Sequence, residues 1–448
     1  MLKRKIEATF ADFLADTSKK ALLLTGARQV GKTYSVREFG ATHFDSFVEF
    51  NFIKNEAALD IFRNVSNEKD VLLRISALAD KPLKPGRTLI FFDEVQVCPE
   101  AVTFIKFLVD EGSYRYILSG SLLGVELKNV RSVPVGYLSE AQMFPLDFEE
   151  FLWANGTQDD VISHLRDSFV NRTSPDPVVH AKIMRYHSLY LITGGMPAVV
   201  QKYIDTNDLR LVVSEQDAII REYKRDITQY DDRLKMRLRH IYDIIPSELN
   251  KHNKRFFLKN ATSRGRLDRS ESDFVWLAEA GVAIPVYNVD EPRMPLELAK
   301  KANLFKFFMN DVGLLCAMYA NGIQMKILNG ETDINFGAIY ENYVAQELFA
   351  HGFGSIYYYN SKKRGEVDFI VESDGAVLPI EVKSGKDFKF HAALDNLLDI
   401  DDFGIPSAWV VGKSEKVETV GKTTYLPIYS LMFLKRTSID APLIFKVD

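Results

Sequence analysis

The stretch Ala21–Phe39, ALLLTGARQVGKTYSVREF, decides how the N-terminal third of the chain folds. Its first four apolar residues read as a short buried strand, its centre as a glycine-containing loop, and the residues after Lys32 as a helix. Gly26 to Thr33 fits Gly-x-x-x-x-Gly-Lys-Ser/Thr. Such a loop wraps phosphates with backbone N–H groups and points a helix N-terminus at them. The expected nucleotide cradle is therefore Gly26, Ala27, Arg28, Gln29, Val30, Gly31, Lys32 and Thr33. Lys32 is expected to reach the β- and γ-phosphates of ATP, and the Thr33 hydroxyl to hold Mg²⁺.

A second run, TLIFFDEVQ (88–96), places four apolar residues before Asp93 and Glu94. A parallel strand beside a phosphate loop needs this pattern. Asp93 is expected to hold Mg²⁺ through water and Glu94 to orient the attacking water. A third strand, YRYILSGS (114–121), ends in Ser119 and Ser121.

The chain has 448 residues, is 46% hydrophobic and 26% charged, and carries a net charge of −5, which leaves room for two to four globular domains. Its two cysteines, Cys98 and Cys316, suggest neither a disulfide framework nor a zinc site. Charges interrupt the apolar residues of the N-terminus, and no run of about 18 apolar residues occurs. A cytoplasmic protein without a membrane partner is the expectation.

Residues 233 to 269 hold eleven Lys/Arg against three acids, in a chain that is otherwise acidic. Such asymmetry suggests a face for a polyanion, and the winged-helix reading that follows favours DNA over RNA. The following SESDFVWLAEAGVAIPVYNV and LFKFFMND read as helix, strand, turn and strand. Helices followed by a two-stranded wing suggest a winged helix.

From Phe336 the expected order is helix, three strands, helix, strand. In EVDFIVESDGAVLPIEVKS (366–384), Asp374-Gly375 favours a two-residue hairpin turn. Ser373 then pairs with Ala376, Asp368 falls opposite Glu381, and Glu366 opposite Lys383. Paired residues share a face, so all four charges lie together, with Val367, Phe369, Ile380 and Val382 behind them. Like charges directly opposite cost stability. The pairing of Asp368 with Glu381 therefore calls for a cation between them, and Glu366 reads as a partner of Lys383 or a nucleic-acid contact.

TGARQVGKT, FFDEVQ, ILSGSLLGV, FPLDFEEFLWA and ITGGMPAVVQKY occur in that order. Together with EVDF…IEVKS they resemble, over nearly the whole chain, an AAA-type ATPase family. That family is related to archaeal and signal-transducing P-loop ATPases and carries a C-terminal nuclease-like domain of the PD-(D/E)xK kind. The resemblance implies an α/β multidomain protein. Its parts would be a P-loop AAA-type core (1–155), a helical lid (156–230), a winged-helix-like domain (231–318) and a restriction-endonuclease-like αβββαβ domain (330–448).

The resemblance further implies that Ser119 senses the γ-phosphate and that Gly195 and Pro197 form a lid turn near the adenine. Asp368, Glu381 and Lys383 would fill the Asp…Glu-x-Lys pattern as catalytic residues, with Glu341 joining Asp368 and Glu381 around Mg²⁺. Gly136-Tyr137 stands where many members carry Gly-Arg, so no arginine finger is assigned; Arg28, Arg115 and Arg131 are the candidates. The expected function couples ATP hydrolysis to metal-dependent cleavage or binding of nucleic acid, and a homo-oligomer is compatible with it. The alternative is an ATP-driven switch with an inert nuclease-like domain.

Overall fold

The structure is a computed structural model that describes all residues except 1, 66, 122–133, 135, 228–231, 252–273, 320–321, 332–335, 386–387 and 437–448. The chain folds as two compact units. One comprises Met1–Pro145 with Phe274–Val282, the other Leu146–Asp273 with Ala283–Asp448.

In the first unit, β1 (Ala21–Thr25), β2 (Ser46–Asn51), β3 (Thr88–Asp93), β4 (Arg115–Ser119) and β5 (Leu138–Gln142) form one parallel sheet in the order β2-β3-β4-β1-β5. Parallel neighbours need crossovers. Helices α2 (Lys32–His43), α3 (Glu68–Leu78) and α4 (Pro99–Glu111) supply them, and α1 (Ile6–Ala15) precedes β1. Every residue of β3 is buried, as a strand covered on both faces requires. Ile90 and Phe92 join the layer under α3 and α4, whereas Leu89 and Phe91 join the one under α1 and α2. The strand ends are level: Asn51 pairs with Asp93, and Asp93 with Ser119. The carboxyl edge of such a sheet is where ligands bind.

The second unit opens with six helices: α5 (Phe148–Ala154), α6 (Asp159–Val170), α7 (Pro177–Thr193), α8 (Pro197–Thr206), α9 (Leu209–Ile227) and α10 (Asp232–Leu249). The PLDFEEF stretch is a capping box at the start of α5: the Asp147 carboxylate accepts from the Glu150 N–H (2.9 Å), and the Glu150 carboxylate from the Asp147 N–H (3.2 Å). The Gly-Gly-Met-Pro stretch lies against it. A Cβ on Gly195 would sit 1.9 Å from the Leu146 carbonyl oxygen, so only glycine fits. Pro197 occupies the first turn of α8.

The rest of this unit is an eight-stranded mixed sheet in the order β12-β13-β11-β10-β9-β8-β6-β7. Its strands are β6 (Ala283–Val289), β7 (Lys300–Met309), β8 (Ile356–Ser361), β9 (Gly365–Ser373), β10 (Ala376–Val382), β11 (Ala408–Gly412), β12 (Glu418–Val420) and β13 (Thr423–Pro427). Helices α11 (Val312–Ala317), α12 (Ile323–Asn329), α13 (Gly337–Ala350) and α14 (Ala392–Leu398) lie between them in sequence. The order α13-β8-β9-β10-α14-β11 is the expected one. In the β9–β10 turn, Asp374 and Gly375 both have positive φ (51° and 73°), as a type I′ turn demands, and Ser373 pairs with Ala376.

One expectation fails here. β6 and β7 do pair antiparallel, but they are not a free wing. β6 continues through Val286↔Ile356 into the C-terminal sheet. The reason is composition: Phe305–Met309 and most of β6 are buried, and a strand pair this apolar needs a sheet to join.

Helix α13 is buried from Ala338 to Leu348 despite four polar residues. Asn342 accepts from the Met309 N–H, Gln346 from the Val312 N–H and Glu347 from the Phe148 N–H (2.8, 2.8 and 2.9 Å). These polar groups satisfy the backbone ends of neighbouring elements, which buried N–H groups require.

Candidate nucleotide site and C-terminal acidic cluster

The Gly26–Thr33 loop leaves β1 and turns into α2 through two glycines in the left-handed region, Gly26 (φ 132°) and Gly31 (φ 99°). A Cβ on Gly26 would meet the Met143 carbonyl oxygen at 2.1 Å. Lys32 begins α2, and its side chain is buried. Nζ donates to the Gly26 and Ala27 carbonyls at 2.8 and 2.7 Å. Burial lowers the Lys32 pKa to about 8, against the pull of Glu94 and Asp93, while Arg28 adds to the lowering.

Asp93 is the centre of the site. One carboxylate oxygen accepts from the Thr33 hydroxyl (3.0 Å) and the Asn51 amide (2.8 Å). The other accepts from the Ser119 hydroxyl and the Glu94 N–H. Glu94 itself has a left-handed backbone (φ 60°), which is uncommon for a non-glycine residue. Its carboxylate accepts from Gln96 Nε2 (2.6 Å) and Ser121 Oγ (3.3 Å). Arg28 reaches Ser121 at 3.4 Å. A cavity of about 360 Å³ opens over Gly31, Lys32, Thr33, Asn51, Asp93 and Glu94.

The expected Lys32, Thr33, Asp93, Glu94 and Ser119 therefore lie together at the edge of one sheet. Asn51 was not foreseen. Its signal was the level ends of neighbouring parallel strands, which a single strand does not display. Of the arginine candidates, Arg115 bonds the Phe13 and Asp16 carbonyls and lies over the Phe13 ring, which is a structural role. Arg131 lies outside the described residues, as do Lys254, Arg255, Lys259, Arg264, Arg266 and Arg269 of the basic segment.

The acidic cluster belongs to the second unit. β9 and β10 pair as far as Phe369↔Ile380, which puts Asp368 and Glu381 at the next step. There the ladder gives way: the Val382 N–H donates to Asp368 Oδ2 (2.9 Å), and the Lys383 N–H to the Val411 carbonyl. Lys383 Nζ donates to Glu381 Oε1 at 2.8 Å. Glu381 is buried, and its pKa is pushed up to about 8 by burial first and Asp368 second, with Lys383 opposing.

Two expectations change at this cluster. Glu366 does not pair with Lys383. Its carboxylate lies 2.7 Å from Lys306 Nζ and also accepts from the Asn360 amide. Lys306, on β7, is fully buried, 3.9 Å from the Glu341 carboxylate and over the Tyr358 ring. Burial works against its charge, but Glu341, Glu366 and Asp368 outweigh that and hold the ammonium above its ordinary range. The expected space for a hydrated Mg²⁺ among Glu341, Asp368, Glu381 and Lys383 is the second change. Among the described residues no group of three or more His, Cys, Asp or Glu is placed to hold a metal ion. The sequence showed Lys306 only as one charge inside LFKFF, a pattern that reads as an ordinary half-exposed strand.

Residues 18–152 match the family model described as an AAA domain. Residues 184–326 and 336–431 match two domains of unknown function, DUF8612 and DUF4143. Residues 18–152 thus carry an AAA-type P-loop domain. No curated protein matches the chain. Among solved structures it is similar to Drosophila ORC bound to DNA, Cdc6p from Pyrobaculum aerophilum and the Thermotoga maritima RuvB Holliday junction branch migration motor. Identities are 14, 13 and 13%, and TM-scores 0.28, 0.24 and 0.26. The matches cover 68, 74 and 67% of this chain and 92, 96 and 90% of the others. Superpositions this loose carry no argument about function. Among the described residues no helix is long and apolar enough to cross a membrane.

Proposed function

We propose that the protein binds and hydrolyses ATP and uses the nucleotide state as a switch that governs contact with nucleic acid. The observation that carries this reading is the Asp93 carboxylate. It gathers Thr33, Asn51 and Ser119 beside a buried Lys32 at the mouth of a glycine cradle. This donor set fits a phosphate-bound divalent ion. Thr33 and Asp93 would hold Mg²⁺, which supplies charge neutralisation at the phosphates when bound. The loop N–H groups of Gly26–Thr33 bind and orient. Lys32 exchanges its two carbonyl partners for phosphate oxygens. Glu94, steadied by Gln96 and Ser121, accepts the hydrogen bond of the attacking water, and Ser119 reports the state of the phosphate end to Asp93.

The test is nucleotide binding and turnover in the full chain. Lys32→Ala should lose most ATP binding. Glu94→Gln should keep binding and lose about 10²- to 10³-fold in turnover. Wild-type turnover in Glu94→Gln removes Glu94 from this role. Contact with nucleic acid rests on the basic segment 233–269, and binding that does not weaken as salt rises would refute it.

A second reading, metal-dependent cleavage by the C-terminal domain, draws on its αβββαβ order and on Asp368, Glu381, Lys383 and Glu341 converging. Saturable cleavage with Mg²⁺ or Mn²⁺ that Asp368→Ala abolishes would establish it. The ammonium of Lys306 within that cluster favours the switch.

A further inference from the structure

We infer that Lys306, rather than a divalent metal ion, is the resident cation of the C-terminal acidic cluster. The inference rests on the reading of that domain as nuclease-like and non-cleaving, and it explains why the acids stay together. Glu341, Glu366, Asp368 and Glu381 come from a helix and two adjacent strands and would repel one another if left alone. Each has a partner or a neighbouring charge within the domain, although Glu381 Oε2 is buried without a hydrogen-bond partner among the described residues. Lys306 Nζ lies 2.7 Å from Glu366 and 3.9 Å from Glu341. Lys383 Nζ holds Glu381 at 2.8 Å, and the Val382 N–H donates to Asp368 at 2.9 Å.

A fully buried ammonium is rare unless carboxylates surround it, because an uncompensated charge out of water is very costly. Lys306 is fully buried, comes from a strand remote in the sheet order from β9, and still ends among the acids of β9 and α13. A metal ion entering this cluster must first displace a fully buried ammonium. The lysine of the Asp…Glu-x-Lys set, Lys383, is half-buried and pairs with Glu381. The two lysines therefore do different work: Lys306 offsets the charge of Glu366 and Glu341, and Lys383 that of Glu381.

The experiment is titration of nucleotide-free full-length protein with Mn²⁺ alone, followed by calorimetry and by the thermal midpoint. Wild type and Asp368→Asn should give the same isotherm, because neither holds Mn²⁺ at this cluster. Lys306→Met should gain a site at least about tenfold tighter than any in wild type, and adding Asp368→Asn should remove it. If Lys306→Met does not fold, Lys306→Met with Glu366→Gln removes one charge of each sign and serves in its place, and the wild-type comparison still decides. Wild-type Mn²⁺ binding that Asp368→Asn abolishes would overturn the inference. So would a folded Lys306→Met that gains no site. ATP turnover is read in the same samples, so failure of the switch reading shows separately from failure here.

Discussion

Lys32 and Lys306 are both buried beside carboxylates, one in each compact unit. Lys32 donates to two loop carbonyls, and the nearby Asp93 and Glu94 are held by hydroxyl, amide and N–H groups instead. Burial wins there, and the ammonium is weakened. Lys306 lies against Glu366 and Glu341 themselves, and the carboxylates win. In the first site a cation and two anions are kept apart, around a cavity, at a cost in stability that a phosphate and its metal ion would relieve. In the second they are already joined. The position of a lysine relative to its acids thus distinguishes a site prepared for a ligand from one whose acids already hold a cation, even where the residue types are alike.

The largest effect should come from breaking the second arrangement. Removing one partner of a buried ion pair leaves the other charge uncompensated, so Lys306→Met should lose about 3–5 kcal/mol of unfolding free energy, read from urea denaturation at pH 7. Adding Glu366→Gln should recover part of the loss, because the orphaned carboxylate goes with it. If Lys306→Met unfolds at the wild-type midpoint, the acids do not depend on Lys306 and the contrast between the two sites collapses.

The two sites differ also in how far the sequence reveals them. The nucleotide site is local. One strand, one glycine loop and one helix lie within Ala21–His43, and the acids sit at the end of a single apolar run, so Lys32, Thr33, Asp93 and Glu94 were all legible. The hairpin register was legible too, because Asp374-Gly375 takes only one kind of two-residue turn and that turn fixes every pair after it. Lys306 was not legible. Nothing in LFKFF says that this strand lies beyond β6 in the sheet, or that its one charge reaches β9. The wing was misread for the same reason. Pairing of β6 with β7 follows from short-range pattern, whereas pairing of β6 with β8 joins residues on either side of three helices.

The next test concerns the acids themselves. Glu381 has its pKa pushed up to about 8, by burial and then by Asp368, against Lys383 and with Glu341 adding to the rise. In the unfolded chain the carboxyl loses its proton near 4.3. Between these values the folded state holds the extra proton, so this group's stabilising contribution is full below about pH 4 and is lost as pH rises towards 8. Metal-free wild type should therefore lose stability relative to Glu381→Gln across that window, by roughly 1–3 kcal/mol. Equal slopes in the two proteins would show that Lys383 offsets burial and Asp368 at Glu381 in full, and would refute the raised pKa.

The smallest effect, and the most discriminating, lies at Lys32. Its pKa is lowered to about 8 in the nucleotide-free protein, chiefly by burial, while an unfolded lysine titrates near 10.4. Between these values the unfolded chain binds more protons than the folded one, so stability rises with pH through the window. The sign is opposite to that at Glu381. Below pH 8 the buried ammonium costs stability, at most about 3 kcal/mol and less if the loop relaxes. Lys32→Met removes the titrating group and keeps much of its volume. The variant should therefore match or exceed wild type in urea denaturation at pH 7.5, and the margin should shrink towards pH 10. Adding ATP and Mg²⁺ should stabilise wild type alone, since binding to the folded state shifts unfolding by mass action. A Lys32→Met protein less stable than wild type without nucleotide would show that Lys32 is compensated as Lys306 is. The cavity over the loop would then no longer be a site kept under strain for its ligand.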